Sequence, residues 1–231
     1  MMVASRNAMG WRSLEEFIRA LESRGELLRV SHPVDVEFEA GCIADRLVKM
    51  GGPAVVFDQP RLGDGSISRF PLAMNLFGTR DRTNLALGVD EPREIGDMMV
   101  GLMKPDIGAI LRRPWTGLGL LRQGISMAPR RVSRGKCQQV KVVDPDVTQL
   151  PIPTTWPFDG GPFMTLPLVV TADPVSGVHN LGMYRSQVFG PMEVGLHWQK
   201  HKHGADHADS VSYTHLRAHE TLRYLVCRLL L

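Results

Sequence analysis

The sequence predicts an α/β (α+β) protein in two parts, and three observations lead there. Helical and strand-like periodicities alternate up to about residue 115, a glycine-, proline- and arginine-rich run spans Arg113 to Gly135, and later apolar stretches alternate as strands between prolines. The expected division is an amino-terminal α/β domain over residues 1–120, the start of a β-rich domain over 121–210 and a tail over 211–231.

Ser13-Leu14-Glu15-Glu16 reads as a capping box, in which the Ser13 hydroxyl takes a free N–H of the first turn and Glu16 reaches back to the cap. A helix starting there carries Leu14, Phe17, Ile18 and Leu21 on one face, and Gly25 stops it before the extended run Leu27–Val30. A second helical pattern, Glu39 to Met50, places Ile43, Leu47 and Val48 at apolar positions. It ends at Gly51-Gly52-Pro53, which cannot continue a helix. Pro53 to Phe57 and Phe70 to Phe77 read as strands. Arg93 to Lys104 reads as a helix with Ile95, Met98, Met99 and Leu102 inward, ended before Pro105.

Beyond the boundary, Gln138 to Val143 alternates like a strand, Leu166 to Thr171 is another, Asp173-Pro174-Val175-Ser176-Gly177 is a turn, and Asn180 to Phe189 returns. With Pro151, Pro153, Pro157, Pro162 and Pro167 between them, these strands suggest an antiparallel barrel or sandwich.

Bulk properties narrow the function. An apolar fraction of 43% suits a globular protein, and 27 Lys and Arg against 24 Asp and Glu, scattered along the chain, leave no phosphate-tracking surface for nucleic acid. Three distant cysteines, Cys42, Cys137 and Cys227, fit reduced thiols and a cytoplasmic setting. No run of eighteen apolar residues predicts a membrane span, and the first residues carry no export signal.

Several residue groups invite chemistry. His197, His201, His203 and His207 fall within eleven residues, spaced so that pairs four apart on a helix face can share a metal ion; the alternative is an exposed polar face. Arg185, inside an apolar strand and after Gly182, either faces solvent or meets an anion, and the glycine permits a flat ligand to approach the backbone. Trp156 to Phe163 is either a functional loop or a structured turn with Trp156 and Phe158 as core plugs. The glycines at 51–52 and 117–124 lack the Lys-Ser/Thr ending of a phosphate loop.

Leu14-Glu15-Glu16-Phe17, Gly25 to Val30, Pro33-Val34-Asp35, Ile43-Ala44-Asp45-Arg46, Gly51-Gly52-Pro53-Ala54 and Asn75 to Thr79 resemble, in order and spacing, the amino-terminal domain of UbiD-type carboxy-lyases. Cys137-Gln138-Gln139, Leu150-Pro151-Ile152-Pro153, Trp156-Pro157, Asp159 to Pro162 and Asn180-Leu181-Gly182-Met183-Tyr184-Arg185 resemble that family's flavin-binding, split β-barrel domain. The resemblance implies prenylated FMN whose phosphate is held through a divalent metal, usually Mn2+, with K+ as a further ion. Asn180 matches the family's metal-binding Asn and His197 its His, while Met183, Tyr184, Arg185, His197, Trp198, Gln199, Lys202 and His203 match cofactor-lining positions. Arg185 matches the catalytic arginine beside the substrate carboxylate. The implied substrate is an aromatic or α,β-unsaturated acid, with ubiquinone- or menaquinone-pathway aromatic acids first. Implied partners are further copies of the intact chain and a UbiX-like flavin prenyltransferase that supplies the cofactor.

The likeness stops near Asp209-Ser210, before the family's metal-binding Glu and catalytic acids, so the chain itself is expected to be inactive. Residues 211–231 match nothing in the family and read as a non-native tail, with an amphipathic helix through Leu222, Leu225, Val226 and Leu229 as the alternative. A metal- or flavin-binding module built on His197–His207, or a non-catalytic subunit completed by a partner chain, are the competing functions.

Overall fold

The protein is seen in a computed structural model that describes residues 11–103 and 138–215, together with 118, 125, 133, 135 and 227–228. In chain order its elements are α1 (Leu14–Ser23), β1 (Leu27–Val30), β2 (Val34–Asp35), α2 (Glu39–Lys49), β3 (Ala54–Phe57), β4 (Pro60–Arg61), β5 (Leu72–Met74), α3 (Arg80–Leu87) and α4 (Arg93–Met103). After a 3-10 turn at Val147–Gln149 follow β6 (Phe163–Met164), β7 (Leu168–Ala172), β8 (His179–Met183), β9 (Ser186–Gly190), β10 (Glu193–Leu196), α5 (His203–His215) and β11 (Cys227–Arg228). They gather in two units, one of residues 1–25 and 77–143, the other of 26–76 and 144–231. The boundary expected at residue 120 lies outside the described residues.

In the first unit, α1 begins as the capping box requires: Glu16 N–H donates to Ser13 Oγ at 3.2 Å. The Glu16 carboxylate reaches one residue further back than expected, accepting from Arg12 N–H at 2.9 Å. Phe17 and Leu21 are buried, and Phe17 stacks on Phe77 with centroids 5.7 Å apart. Leu14 is exposed, because it starts the helix where the apolar stripe has not yet turned inward. Helix α3, which periodicity alone does not reveal, is set by its ends. Thr79 Oγ1 accepts from Arg82 N–H at 3.3 Å, and Gly88 closes it at φ +70. In α4, Met99 is exposed where the pattern predicted it inward.

The second unit has a three-stranded sheet in the order β1-β3-β5, with β1 parallel and β5 antiparallel to β3. All four residues of β3 are buried, which explains its unbroken apolar run, Ala-Val-Val-Phe. Val34, Ala40, Val55 and Phe57 form the core, packed by Val30, Ile43, Leu47, Leu72 and Met74. Val48 of α2 is exposed, contrary to the predicted face, since Ala40, Gly41 and Ala44 turn to the interior instead. Small residues there let the segment after the 3-10 turn approach closely: a Cβ on Gly41 would lie 3.2 Å from the Thr155 backbone. Phe38 N–H donates to Thr154 O at 2.9 Å and Thr154 N–H to Val36 O at 3.2 Å, so this unit joins chain segments a hundred residues apart.

Two expectations for the β-rich region are corrected. Residues 140–142 form no strand, and Val140, Val142 and Val143 are exposed, because alternation gives a strand only where a partner ladder exists. The run from Asn180 to Phe189 is two strands in two sheets. β8 pairs antiparallel with β7, whereas β9 lies between β10 and β6 in the order β11-β10-β9-β6. The pairing is antiparallel as predicted, and no closed barrel forms among the described residues. The pattern at Leu222–Val226 and Leu229 lies outside them. No helix among them is long and apolar enough to cross a membrane.

Candidate functional site

The hairpin of β7 and β8 carries the candidate site. Its turn is the one predicted: Asp173 Oδ1 accepts from Val175 N–H at 2.8 Å and Ser176 N–H at 3.3 Å, and Gly177 takes φ +68. The Val175 backbone N–H first, then Ser176, hold the Asp173 carboxyl below the usual carboxylate range. Strand alternation separates two faces. Val169, Thr171, Asn180 and Gly182 are half-buried, whereas Leu168, Val170, Leu181 and Met183 are 59–65% exposed. Asn180, expected as a metal ligand, and Met183, expected to line the cofactor, therefore lie on opposite faces of one strand.

The chain leaves the hairpin at Tyr184-Arg185. Tyr184 is buried, with its ring wedged between two glycines: a Cβ on Gly182 would sit 2.4 Å from Tyr184 Cε2, and one on Gly204 would sit 2.7 Å from Cζ. The space beside Gly182, predicted to admit a flat ligand, is thus filled by the protein's own ring. Trp198 meets that ring edge-on, with centroids 4.7 Å apart. The Tyr184 hydroxyl accepts from Gly204 N–H at 3.1 Å and from Asn180 Nδ2 at 3.3 Å. Asn180 Nδ2 also donates to Thr171 Oγ1 at 3.3 Å, and Thr171 Oγ1 lies 2.9 Å from His207 Nδ1.

Arg185 occupies the break between β8 and β9, not a strand interior as predicted, because Tyr184 must turn in to bury its ring. Its side chain is exposed, and its guanidinium carbon lies 5.5 Å from the Phe163 ring centroid. No carboxylate or hydrogen-bond acceptor engages that guanidinium among the described residues. A guanidinium resting on a ring keeps its N–H edges open to an anion, carboxylate above all. The backbone N–H of His197 donates to Arg185 O at 3.2 Å, which sets His197 beside the same break.

Of the predicted residues, Asn180, Tyr184 and Trp198 are brought together, with Arg185 and His197 joined through the backbone. Gln199 and Lys202 lie on the bend before α5, and His203 begins that helix; all three are exposed. The four clustered histidines do not converge, and no group of three or more His, Cys, Asp or Glu able to hold a metal occurs among the described residues. Trp156 and Phe158 are exposed, so they are not core plugs; the loop is a turn closed by Trp156 N–H to Asp159 Oδ2 at 3.0 Å. Sequence reasoning missed Thr171, Phe163 and Gly204, whose roles depend on cross-strand register and carry no motif.

A cavity of about 310 Å³ lies elsewhere in the same unit, lined by Val36, Glu37, Leu62, Asp64, Thr148 and Val188 among others, and none of the residues above reaches it. The Ser66 hydroxyl and N–H hold the Asp64 carboxyl below its ordinary range, and those of Thr148 do the same for Asp146.

Comparison with known proteins places the chain in a family. Residues 18–99 match the model of the 3-octaprenyl-4-hydroxybenzoate carboxy-lyase N-terminal domain, and 130–227 match that of the carboxy-lyase Rift-related domain. An uncharacterized protein of Archaeoglobus fulgidus is 40% identical over 199 residues, 86% of this chain and 40% of its own length. Among solved structures, the vanillic acid decarboxylase of Sedimentibacter hydroxybenzoicus in its closed form superposes with a TM-score of 0.68 at 24% identity, over 88% of this chain and 40% of that one. The UbiD-class enzyme HmfF of Pelotomaculum thermopropionicum, in complex with FMN, gives 0.66 at 23% identity, over 87% and 40%. The 3,4-dihydroxybenzoic acid decarboxylase of Klebsiella pneumoniae gives 0.65 at 22% identity, over 87% and 40%. The chain spans about two-fifths of the length of these relatives. With both domain models matched in order along most of its residues, the chain belongs to the UbiD family of carboxy-lyases.

Proposed function

We propose that the chain is the cofactor-holding part of a UbiD-type decarboxylase, acting reversibly and without net oxidation on an aromatic or α,β-unsaturated carboxylic acid. The observation that carries this reading is the corner at Tyr184-Arg185, where a guanidinium with no anionic partner among the described residues rests on Phe163 next to the Asn180 amide network. Arg185 would grip the substrate carboxylate through two N–H donors and hold it in one orientation. Met183, Tyr184, His197, Trp198, Gln199, Lys202 and His203 are the proposed contacts of prenylated FMN, which supplies the electron sink for decarboxylation when bound. The flavin assignment draws support from HmfF, solved with FMN and, in an evolved dimeric form, with prFMN.

Asn180 and His197 are the proposed ligands of Mn2+, with K+ as a further ion. The donor set fits half of such a site: one neutral oxygen and one neutral nitrogen suit a divalent ion bridged to a phosphate but bring no negative charge. The remaining charge must come from the phosphate and from a carboxylate outside the corner. No carboxylate engages the Arg185 guanidinium among the described residues, so this chain alone is proposed to bind and not to turn over. An aromatic acid of ubiquinone or menaquinone formation is the first substrate proposed, consistent with the vanillic and dihydroxybenzoic acid decarboxylases among the structural relatives. A homo-oligomer of the intact protein, supply of cofactor by a UbiX-like prenyltransferase and a cytoplasmic setting complete the proposal. A metal module on His197–His207 is less well supported, since those rings form no ligand set among the described residues.

Reconstitution tests the reading. The purified chain given prenylated FMN and Mn2+ should bind the flavin and release no CO2 from an aromatic acid; measurable release would show that the proton donor lies within these residues.

A further inference from the structure

We infer that Tyr184 and Thr171 are positioning residues that fix the Asn180 side-chain amide, so that Oδ1 is the atom it presents to a cation; this rests on the metal role proposed above. A primary amide offers two N–H donors and one carbonyl acceptor, and only the carbonyl oxygen is a metal ligand. Asn180 Nδ2 donates to both Tyr184 Oη and Thr171 Oγ1, each at 3.3 Å. Oδ1 accepts no hydrogen bond among the described residues, which leaves it as the amide's open donor atom.

The two anchors are themselves anchored, and in both cases by α5. Tyr184 Oη takes the Gly204 N–H at 3.1 Å while its ring is held between Gly182, Gly204 and the edge of Trp198. Thr171 Oγ1 is 2.9 Å from His207 Nδ1, one helical turn further along α5. Hydrogen bonds of this kind behind a ligand do two things: they select which end of an ambidentate group faces the ion, and they remove the rotational freedom that binding would otherwise have to quench. The seating of α5 on the hairpin and the orientation of Asn180 are therefore one structural event. Thr171 and Gly204, which carry no motif, and His207 of the histidine cluster acquire a role through it.

The test is made on the full 231-residue chain by 1H–15N NMR, with the Asn180 side-chain signal identified by its loss in Asn180→Asp. Without metal, the two Asn180 amide protons should exchange slowly, and faster by about tenfold in Tyr184→Phe and Thr171→Val. With FMN present, Mn2+ should broaden signals around Asn180, and the midpoint should rise about tenfold in the same variants, the scale usual for a group supporting a metal ligand. Thr171→Val, which removes a hydroxyl from an otherwise unchanged hairpin, keeps the test valid if Tyr184→Phe loosens the fold. Fast exchange in the unmodified chain, or unshifted midpoints in both variants, overturns the positioning role. Slow exchange without any broadening overturns the metal reading and the assignment of Oδ1 with it.

Discussion

Gly204→Ala should destabilise the protein although alanine is the better helix former. Gly204 lies in the first turn of α5, where exchanging glycine for alanine gains at most about 1 kcal/mol of helix propensity. Against that, the new Cβ would sit 2.4 Å from Trp198 Cζ3 and 2.7 Å from Tyr184 Cζ and Oη. Carbon contacts settle near 3.5–4.0 Å, so about 1 Å of movement is required. Tyr184 has nowhere to retreat: its ring is buried, Gly182 closes its other side, and its hydroxyl is held by Gly204 N–H and Asn180. Overpacking of this type costs about 1–3 kcal/mol, so the net loss should be roughly 1–2 kcal/mol. Gly195→Ala is the internal control, because its Cβ would lie 2.5 Å from Phe189 Cε2, an equal overlap on paper. Phe189 is 55% exposed and free to swing aside, so that change should stay within about 0.5 kcal/mol. Urea unfolding followed by circular dichroism and tryptophan fluorescence measures both. A Gly204→Ala chain as stable as the parent, or a Gly195→Ala chain equally damaged, would refute the packing argument.

Phe57→Ala empties a side chain with 0% exposure at the centre of the second unit and should cost about 3–5 kcal/mol, read from the same unfolding midpoints. Thr79→Ala removes the acceptor for Arg82 N–H at the start of α3 and should cost about 1 kcal/mol, with hydrogen exchange of α3 accelerating before that of β3. The Asp173 carboxyl is held below its usual range in the folded turn, so its contribution is present above the ordinary carboxylate range and is lost as pH falls through the folded value. Acid should accordingly loosen the β7–β8 turn, seen as smaller exchange protection at Val175 and Ser176 relative to the intrinsic rate at each pH, and Asp173→Asn should flatten that dependence.

Much of this architecture is legible in the sequence where one local rule decides the outcome. The Ser13 box and Gly25 bracket α1, Gly51 ends α2, the all-apolar β3 is buried on both faces, and the Asp173–Gly177 turn forms as read. The errors share a cause: periodicity reports what a segment can pair with and stays silent on whether a partner exists. Val140 and Val142 alternate without a neighbouring strand. Asn180 to Phe189 looks continuous, yet burial of the Tyr184 ring breaks it and delivers its halves to different sheets. Helix α3 was hidden for the opposite reason, since Arg80-Asp81-Arg82-Thr83-Asn84 has little apolar pattern and is defined by caps alone. At the site, family likeness pointed to Asn180 and Arg185, but the groups that hold them, Thr171, Phe163 and Gly204, depend on register and on α5, which no spacing rule encodes.

If the Asn180–Arg185 corner holds a flavin phosphate through a cation, as proposed, flavin affinity must depend on that cation. Equilibrium binding of prenylated FMN to the purified chain, followed by flavin fluorescence with and without Mn2+, measures that dependence. Binding should be saturable, strengthen with Mn2+ and lose that metal dependence in Asn180→Ala. Flavin binding of equal strength with and without Mn2+, or an unchanged metal response in Asn180→Ala, would mean that no cation at Asn180 holds the flavin.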